Sequence, residues 1–221
     1  MAITHEQTYY SQPFHSLTVI IHVLVFDGFD ELDAIAPFEV FQTAARVGAD
    51  CSVSIITHDQ QDTVTAANGL QLVPDSVLPA PDGDDTPDLL VVPGGGWASE
   101  NQGVRREIES GELPEAIGAH LTAGAQLASV CTGAMLLERA GVLNDRPAVT
   151  HHRALGDLRD ANVEVLENRV VDTGEVVTTG GVTSGIDLAL YLVSREFGDD
   201  VAEEVADILE YDREADVATV H

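Results

Sequence analysis

Uniformly apolar runs alternate along this chain with stretches whose apolar positions recur every three or four residues. The clearest runs are residues 17–26 (LTVIIHVLVF), 51–57 (CSVSIIT) and 89–92 (LLVV). Runs apolar on both faces and rich in β-branched residues predict parallel strands covered above and below. Residues 147–150 and 163–166 add shorter strands. Residues 63–73, with Asn68-Gly69 between apolar flanks, and residues 169–177 predict hairpins. Helical spacing marks a segment entered after Gly28 and running through Pro37 to Phe41, then residues 103–109 and 113–124. Pro37 either opens the regular helix or kinks it. A later helix has the stripe Ile186, Leu190, Val193 and Phe197. The last, residues 200–211, is expected to bury Val201, Val205, Ile208 and Leu209 and to turn Glu203, Glu204, Asp207 and Glu210 to solvent. The expected fold is α/β: a three-layer sandwich whose mostly parallel central sheet is flanked by helices. It forms one domain over residues 17–221, preceded by an extension, residues 1–16, carrying Tyr9, Tyr10 and Phe14.

One run differs from the others. Residues 127–137 (LASVCTGAMLL) read as a buried strand passing straight into a helix, with Cys131 at the junction between Ser129 and Gly133. That small-x-nucleophile-x-small spacing suits a sharp strand-to-helix elbow, where backbones approach closely and the central residue is strained. Helix N–H groups nearby would favour thiolate over thiol. A buried core cysteine has the same local spacing, and both readings stand on these residues alone. Residues 93–97 (PGGGW) follow the third run at once. Three glycines at a strand end can aim successive N–H groups at one developing anion. The segment lacks the lysine of a phosphate loop and the spacing of a dinucleotide fingerprint. Trp97 either lines a pocket or caps the core. Asp33 lies just past the first strand, on the edge where open α/β sheets bind ligands, and equally suits a helix first turn. His151, after the strand at 147–150, is placed to polarise a thiol or to bond a backbone group. With His152 it forms too small a set for a metal site.

Composition changes the picture outside the core. Thirty-eight Asp and Glu face ten basic residues, all arginine, for a net charge of −28, while apolar content is an ordinary 44%. An acidic surface around a normal core is the pattern expected in molar salt, where a Debye length of about 3 Å screens self-repulsion. The charge argues against nucleic acid and anionic membrane as partners. No apolar run reaches the roughly 20 residues of a membrane span, and residues 1–17 lack a secretion signal's layout. Cys51 and Cys131, far apart, fit reduced thiols in a cytoplasm, with Cys51 structural.

Taken together, LDAIAPFEVF, PGGGW, SVCTGAMLLERAGVL with VTHH, and GGVTSGIDLALYLVSREFG resemble the ThiJ/PfpI superfamily, within the class I glutamine-amidotransferase-like fold. The Leu32-Asp33 pair and the SVCTG elbow resemble the isonitrile hydratase branch, whereas glyoxalase and deglycase-like members carry Glu where Asp33 stands. The resemblance implies a catalytic Cys131, an acid/base Asp33 and a functional Thr132. It places Gly95 and Thr132 N–H groups around a bound anion, with Gly96, Trp97 and His151 lining the substrate site. It also implies a homodimer, a small-molecule substrate and no metal or organic cofactor. Hydration of an isonitrile is the activity expected. Action on α-oxoaldehydes, peptidase activity, redox sensing and a chaperone role are the alternatives that the same elbow allows.

Overall fold

The structure is a computed structural model and describes residues 18–83, 85–98, 102–214 and 216–220. The extension over residues 1–16 lies outside the described residues. Among the described residues there are ten strands: β1 Val19–Leu24, β2 Cys51–Thr57, β3 Val64–Thr65, β4 Gln71–Leu72, β5 Ser76–Val77, β6 Leu89–Val92, β7 Gln126–Ser129, β8 Val170–Asp172, β9 Val176–Thr179 and β10 Val217–Thr219. The helices are α1 Glu31–Arg46, α2 Gly103–Ser110, α3 Glu112–Thr122, α4 Gly133–Arg139, α5 Leu155–Asp160, α6 Ser184–Phe197 and α7 Asp199–Ile208.

Eight strands form one sheet in the order β10-β8-β9-β7-β6-β1-β2-β5, and β3 pairs with β4 in the small hairpin. Every neighbouring pair in the large sheet is parallel except β8 against β9. Helices α1, α6 and α7 pack together as one layer, and α2, α3 and α4 as another. The uniformly apolar runs are central because both sheet faces are covered. Val23, Leu24, Leu90, Val91, Leu127 and Ala128 are wholly buried. Each large side chain so buried contributes about 1.5–3 kcal/mol.

Several expectations are corrected. Residues 147–150 and 163–166 do not form strands; a single parallel bridge joins Ala148 to Val165. On its other side the segment meets β9 through a side chain, the Val149 N–H donating to Thr178 Oγ1 at 2.9 Å, so no main-chain ladder extends from the bridge. Pro37 sits inside α1 rather than opening it. Its missing N–H leaves the Asp33 carbonyl without the bond it would have received. Ile208 is 53% exposed, because α7 buries Ala202, Val205 and Ala206 instead. The short β5, α5 and β10 are not visible in the sequence pattern. β10, for example, has no apolar run and exists through its pairing with β8. Among the described residues no helix is long and apolar enough to cross a membrane.

Candidate active site

β9, β7, β6 and β1 lie side by side and parallel, so their carboxyl ends reach one edge together. The chain crosses from β1 outward to β2 and later returns to β6 on β1's other side, which makes this edge a topological switch point. Each of the four ends delivers one part of a site.

β7 ends in the elbow. Cys131 has φ 56°, in the left-handed region that non-glycine residues rarely occupy. The strain, about 1–3 kcal/mol, is held by surrounding bonds. The Val130 N–H donates to the Val92 carbonyl at 3.0 Å and the Cys131 N–H to the Gly180 carbonyl at 2.8 Å. The Cys131 carbonyl accepts the Thr150 hydroxyl at 2.8 Å. A side chain at Gly133 would overlap the Val92 carbonyl oxygen, so the small residue after the thiol is required by strand-to-helix packing.

β1 delivers the carboxylates. Asp30 caps α1, accepting the Leu32 N–H at 3.3 Å, and Asp33 follows in the first turn. Asp33 is wholly buried. Its Oδ2 accepts the Gly94 N–H at 3.0 Å, and its Oδ1 has no hydrogen-bond partner. Burial first, then the charge of Asp30, pushes its carboxyl up to about 7, against the Gly94 bond and the nearby Cys131 thiol. The thiol itself is pushed up to about 12 by burial first and then by Asp33, against the lowering effect of the Thr132 and Val182 main-chain N–H groups. The helix end therefore does not win as expected: desolvation and a neighbouring carboxylate outweigh two main-chain donors. Between those two values the pair holds one proton, and it belongs to the pair rather than to either atom.

β6 delivers the glycine run. Gly94 N–H holds Asp33, and Gly95 N–H donates to Thr132 Oγ1 at 3.0 Å. A Cβ at Gly94 would lie 2.5 Å from both the Thr132 nitrogen and Oγ1, so only glycine lets β6 approach the elbow. Thr132, buried, is the N-cap residue of α4.

The thiol opens on a cavity of about 230 Å3. Trp97, Ala98 and Val182 supply apolar wall, with Gly95, Gly96 and Thr132 beside the thiol. Asp30, His151 and Arg153 bring polar groups to it. Trp97 is fixed by its indole N–H on Asp157 at 2.6 Å and by the Arg105 guanidinium 4.2 Å over its ring. His151 lines the cavity without being paired to the thiol. Its Nδ1 accepts the Arg153 N–H at 3.3 Å, and its nearest opposing charge is Asp30. Burial, with His152 and Arg153, holds its pKa below the usual histidine value. His152 is exposed and lines a separate cleft with Leu155 and Arg169.

Four residues of the cavity wall, Asp30, Ala98, Arg153 and Val182, escape sequence reasoning. Asp30 hides in an acidic run, DELD, where every carboxylate looks like a first-turn residue. Val182 lies in a small-residue loop, GGVTSG, and nothing in its identity announces φ 42°, a conformation costly for a β-branched side chain.

A cysteine at a strained strand-to-helix elbow, on the carboxyl edge of a mostly parallel sheet with a buried carboxyl beside it, defines a class of α/β proteins. Within that class the chain belongs to the DJ-1/PfpI family, whose model matches residues 19–195. It is 32% identical over 193 residues to isonitrile hydratase of Pseudomonas putida, covering 86% of this chain and 78% of that protein. A ThiJ/PfpI family protein from Pseudomonas syringae superposes with TM-score 0.77 at 23% identity, over 96% of this chain and 83% of that one. Oxidized DJ-1 from Toxoplasma gondii superposes with TM-score 0.73 at 24% identity, over 88% and 99%.

Proposed function

We propose that the protein hydrates a small substrate through Cys131, with Asp33 as proton carrier, and that the substrate is an isonitrile converted to an N-substituted formamide. The observation that carries this reading is the orphaned Oδ1 of Asp33, buried beside a strained thiol behind a small, largely apolar cavity. A buried carboxyl with an unused oxygen and an elevated pKa is suited to passing a proton. The similarity to an isonitrile hydratase supports the choice of substrate.

With one proton on the pair, the Cys131 sulfur adds to the terminal carbon of R–N≡C. The same carbon takes the proton through Asp33, giving the thioimidate R–N=CH–S and leaving Asp33 ionised. Water then adds to the thioimidate carbon. Asp33 takes a water proton and passes it on to nitrogen. The C–S bond breaks, R–NH–CHO leaves, and the remaining proton returns to the thiol–carboxyl pair. The sum is one isonitrile plus one water, with no metal or organic cofactor needed. Thr132 holds the glycine run, its hydroxyl oxygen accepting the Gly95 N–H at 3.0 Å. Gly96 and Trp97 shape the cavity for R. The protein works as a homodimer in the cytoplasm on this reading.

The test is a panel of an alkyl isonitrile, methylglyoxal and a peptide, assayed in high salt with wild type, Cys131→Ala and Asp33→Asn. Formamide produced by wild type alone supports the reading. Turnover of methylglyoxal without isonitrile turnover assigns α-oxoaldehyde chemistry instead. Isonitrile turnover that survives Cys131→Ala removes the thiol from the reaction.

A further inference from the structure

We propose that Arg153 selects substrates whose R group ends in a carboxylate, holding that anion at the cavity wall while the isonitrile carbon meets Cys131. This deepens the reading above and rests on it for the chemistry at the sulfur.

In a chain where carboxylates outnumber basic residues by 38 to 10, an arginine without a carboxylate needs a reason. Arg46, Arg106, Arg146, Arg159, Arg169 and Arg195 each bond one, at 2.5–3.3 Å. Among the described residues Arg153 makes no ion pair, and it is the one arginine lining the thiol cavity. Arg139 and Arg213 also lack an ion pair among the described residues, but neither lines that cavity. Arg105, which approaches the cavity from behind Trp97, is already committed. Its Nε donates to the Trp97 carbonyl and its guanidinium lies 4.2 Å over the indole. The cavity therefore carries one uncommitted fork of N–H donors, the group best matched to the two oxygens of a carboxylate.

The backbone that carries this fork is fixed. The Ala154 N–H donates to the His151 carbonyl at 2.8 Å, and the Arg153 N–H to His151 Nδ1 at 3.3 Å. The imidazole in turn lies against Gly181, where a Cβ would run into its Cδ2. Because Nδ1 accepts, the neutral ring carries its proton on Nε2, a second donor in the same cavity. Trp97, Ala98 and Val182 supply apolar wall for the part of R between its two ends. A plain alkyl group would use those walls and leave the guanidinium idle. Asp30, the opposing charge in the cavity, accepts the Leu32 N–H at the start of α1 and keeps an anion to the Arg153 side. A cavity of about 230 Å3 that must hold both ends calls for a short spacer, so the substrate class is a short ω-isocyano carboxylate. With a net charge of −28 the molecule repels anions at large, and only a contact pair can reverse this locally.

Two pairs of reagents test this, each a carboxylate beside its neutral counterpart, in molar salt. The first needs no turnover: Cys131 is alkylated by N-iodoacetylglycine or by its neutral amide, and the rate is read by mass spectrometry of the Cys131 peptide. The acid-to-amide rate ratio is expected to fall about fivefold in Arg153→Gln and less in Arg153→Lys. Arg46→Gln removes the same charge from the last turn of α1 and is expected to keep the wild-type ratio. The second pair is 3-isocyanopropanoate and its methyl ester. Their kcat/KM ratio is expected to fall by the same factor in Arg153→Gln, carried by KM. Arg153 is exposed, so its variants are expected to fold, and thermal melts check this. An alkylation ratio unmoved in Arg153→Gln overturns the carboxylate site. A fall matched by Arg46→Gln traces the preference to net charge and overturns it too. A ratio that falls while neither isonitrile turns over keeps the anion site and removes the isonitrile; ester turnover with no preference for the acid does the opposite.

Discussion

Asp33 and Asp187 begin alike and end as opposites. Each lies in the first turn of a long helix, α1 and α6, and those helices pack against each other. Each is almost wholly buried. Asp187 is saturated: Oδ2 accepts from Arg169 Nε at 2.5 Å and from the Tyr211 hydroxyl at 2.9 Å, and Oδ1 accepts the Glu214 N–H at 2.9 Å. Asp33 receives one N–H, has an unpartnered oxygen, and faces another carboxylate and a thiol rather than a cation. Asp187 ties the C-terminal segment to the sheet edge. Asp33 keeps an oxygen without a partner. Burial alone thus does not fix what a carboxylate can do; the number of partners left unmade separates the two.

The contrast breaks most sharply by mutation. Asp187→Ala leaves Arg169, Tyr211 and a backbone N–H without their acceptor, and is expected to cost about 3 kcal/mol in chemical denaturation. Asp33→Asn is expected to do the reverse at pH 8. Because Asp33 is raised to about 7, the fold binds its proton more tightly than the unfolded chain does. Its contribution to stability is full below the unfolded value near pH 4 and is lost as pH rises through about 7. A neutral amide removes that loss, so Asp33→Asn should be more stable than wild type by about 2 kcal/mol at pH 8 and not at pH 4. It should also lose about a hundredfold or more in turnover. Equal destabilisation by both substitutions would erase the distinction.

A smaller effect sharpens it. In wild type the acid limb of kcat/KM should fall near pH 7, where the thiol–carboxyl pair gains its second proton. Asp33→Asn should abolish that limb in whatever activity is left. Asp187→Ala, where it folds, should keep it. The smallest effect concerns surface rather than site. With a net charge of −28, lowering salt from molar to about 0.1 M should reduce the melting temperature of wild type and of both variants together. A melting temperature indifferent to salt would separate the acidic surface from any need for screening.

Much of this was legible before any coordinates. The runs at 17–26 and 89–92 declared buried parallel strands because only a doubly covered sheet accepts β-branched residues on both faces, while residues 51–57 form a parallel strand near the sheet edge that is largely half-buried. The elbow was legible because Ser129-Val130-Cys131-Thr132-Gly133 is small where backbones must meet. Asp33 and the glycine run could be placed at strand ends for the same reason. Partners could not be read. That Gly94 and Gly95 would spend their N–H groups on Asp33 and Thr132, and that His151 would lie on Gly181 instead of the thiol, depends on contacts between segments far apart in the chain.

The amino-acid order by itself determined most of the longer elements, the layered class and which strand would carry the thiol, because periodicity and steric need at a turn are local properties. Only the tertiary structure decided the strand order β9-β7-β6-β1 that gathers four chain ends at one edge. It alone set a carboxylate beside the sulfur, pushed both groups' pKa values upward and held Val182 at φ 42°. Desolvation and charge proximity are properties of assembled space, and no single stretch of the chain contains them.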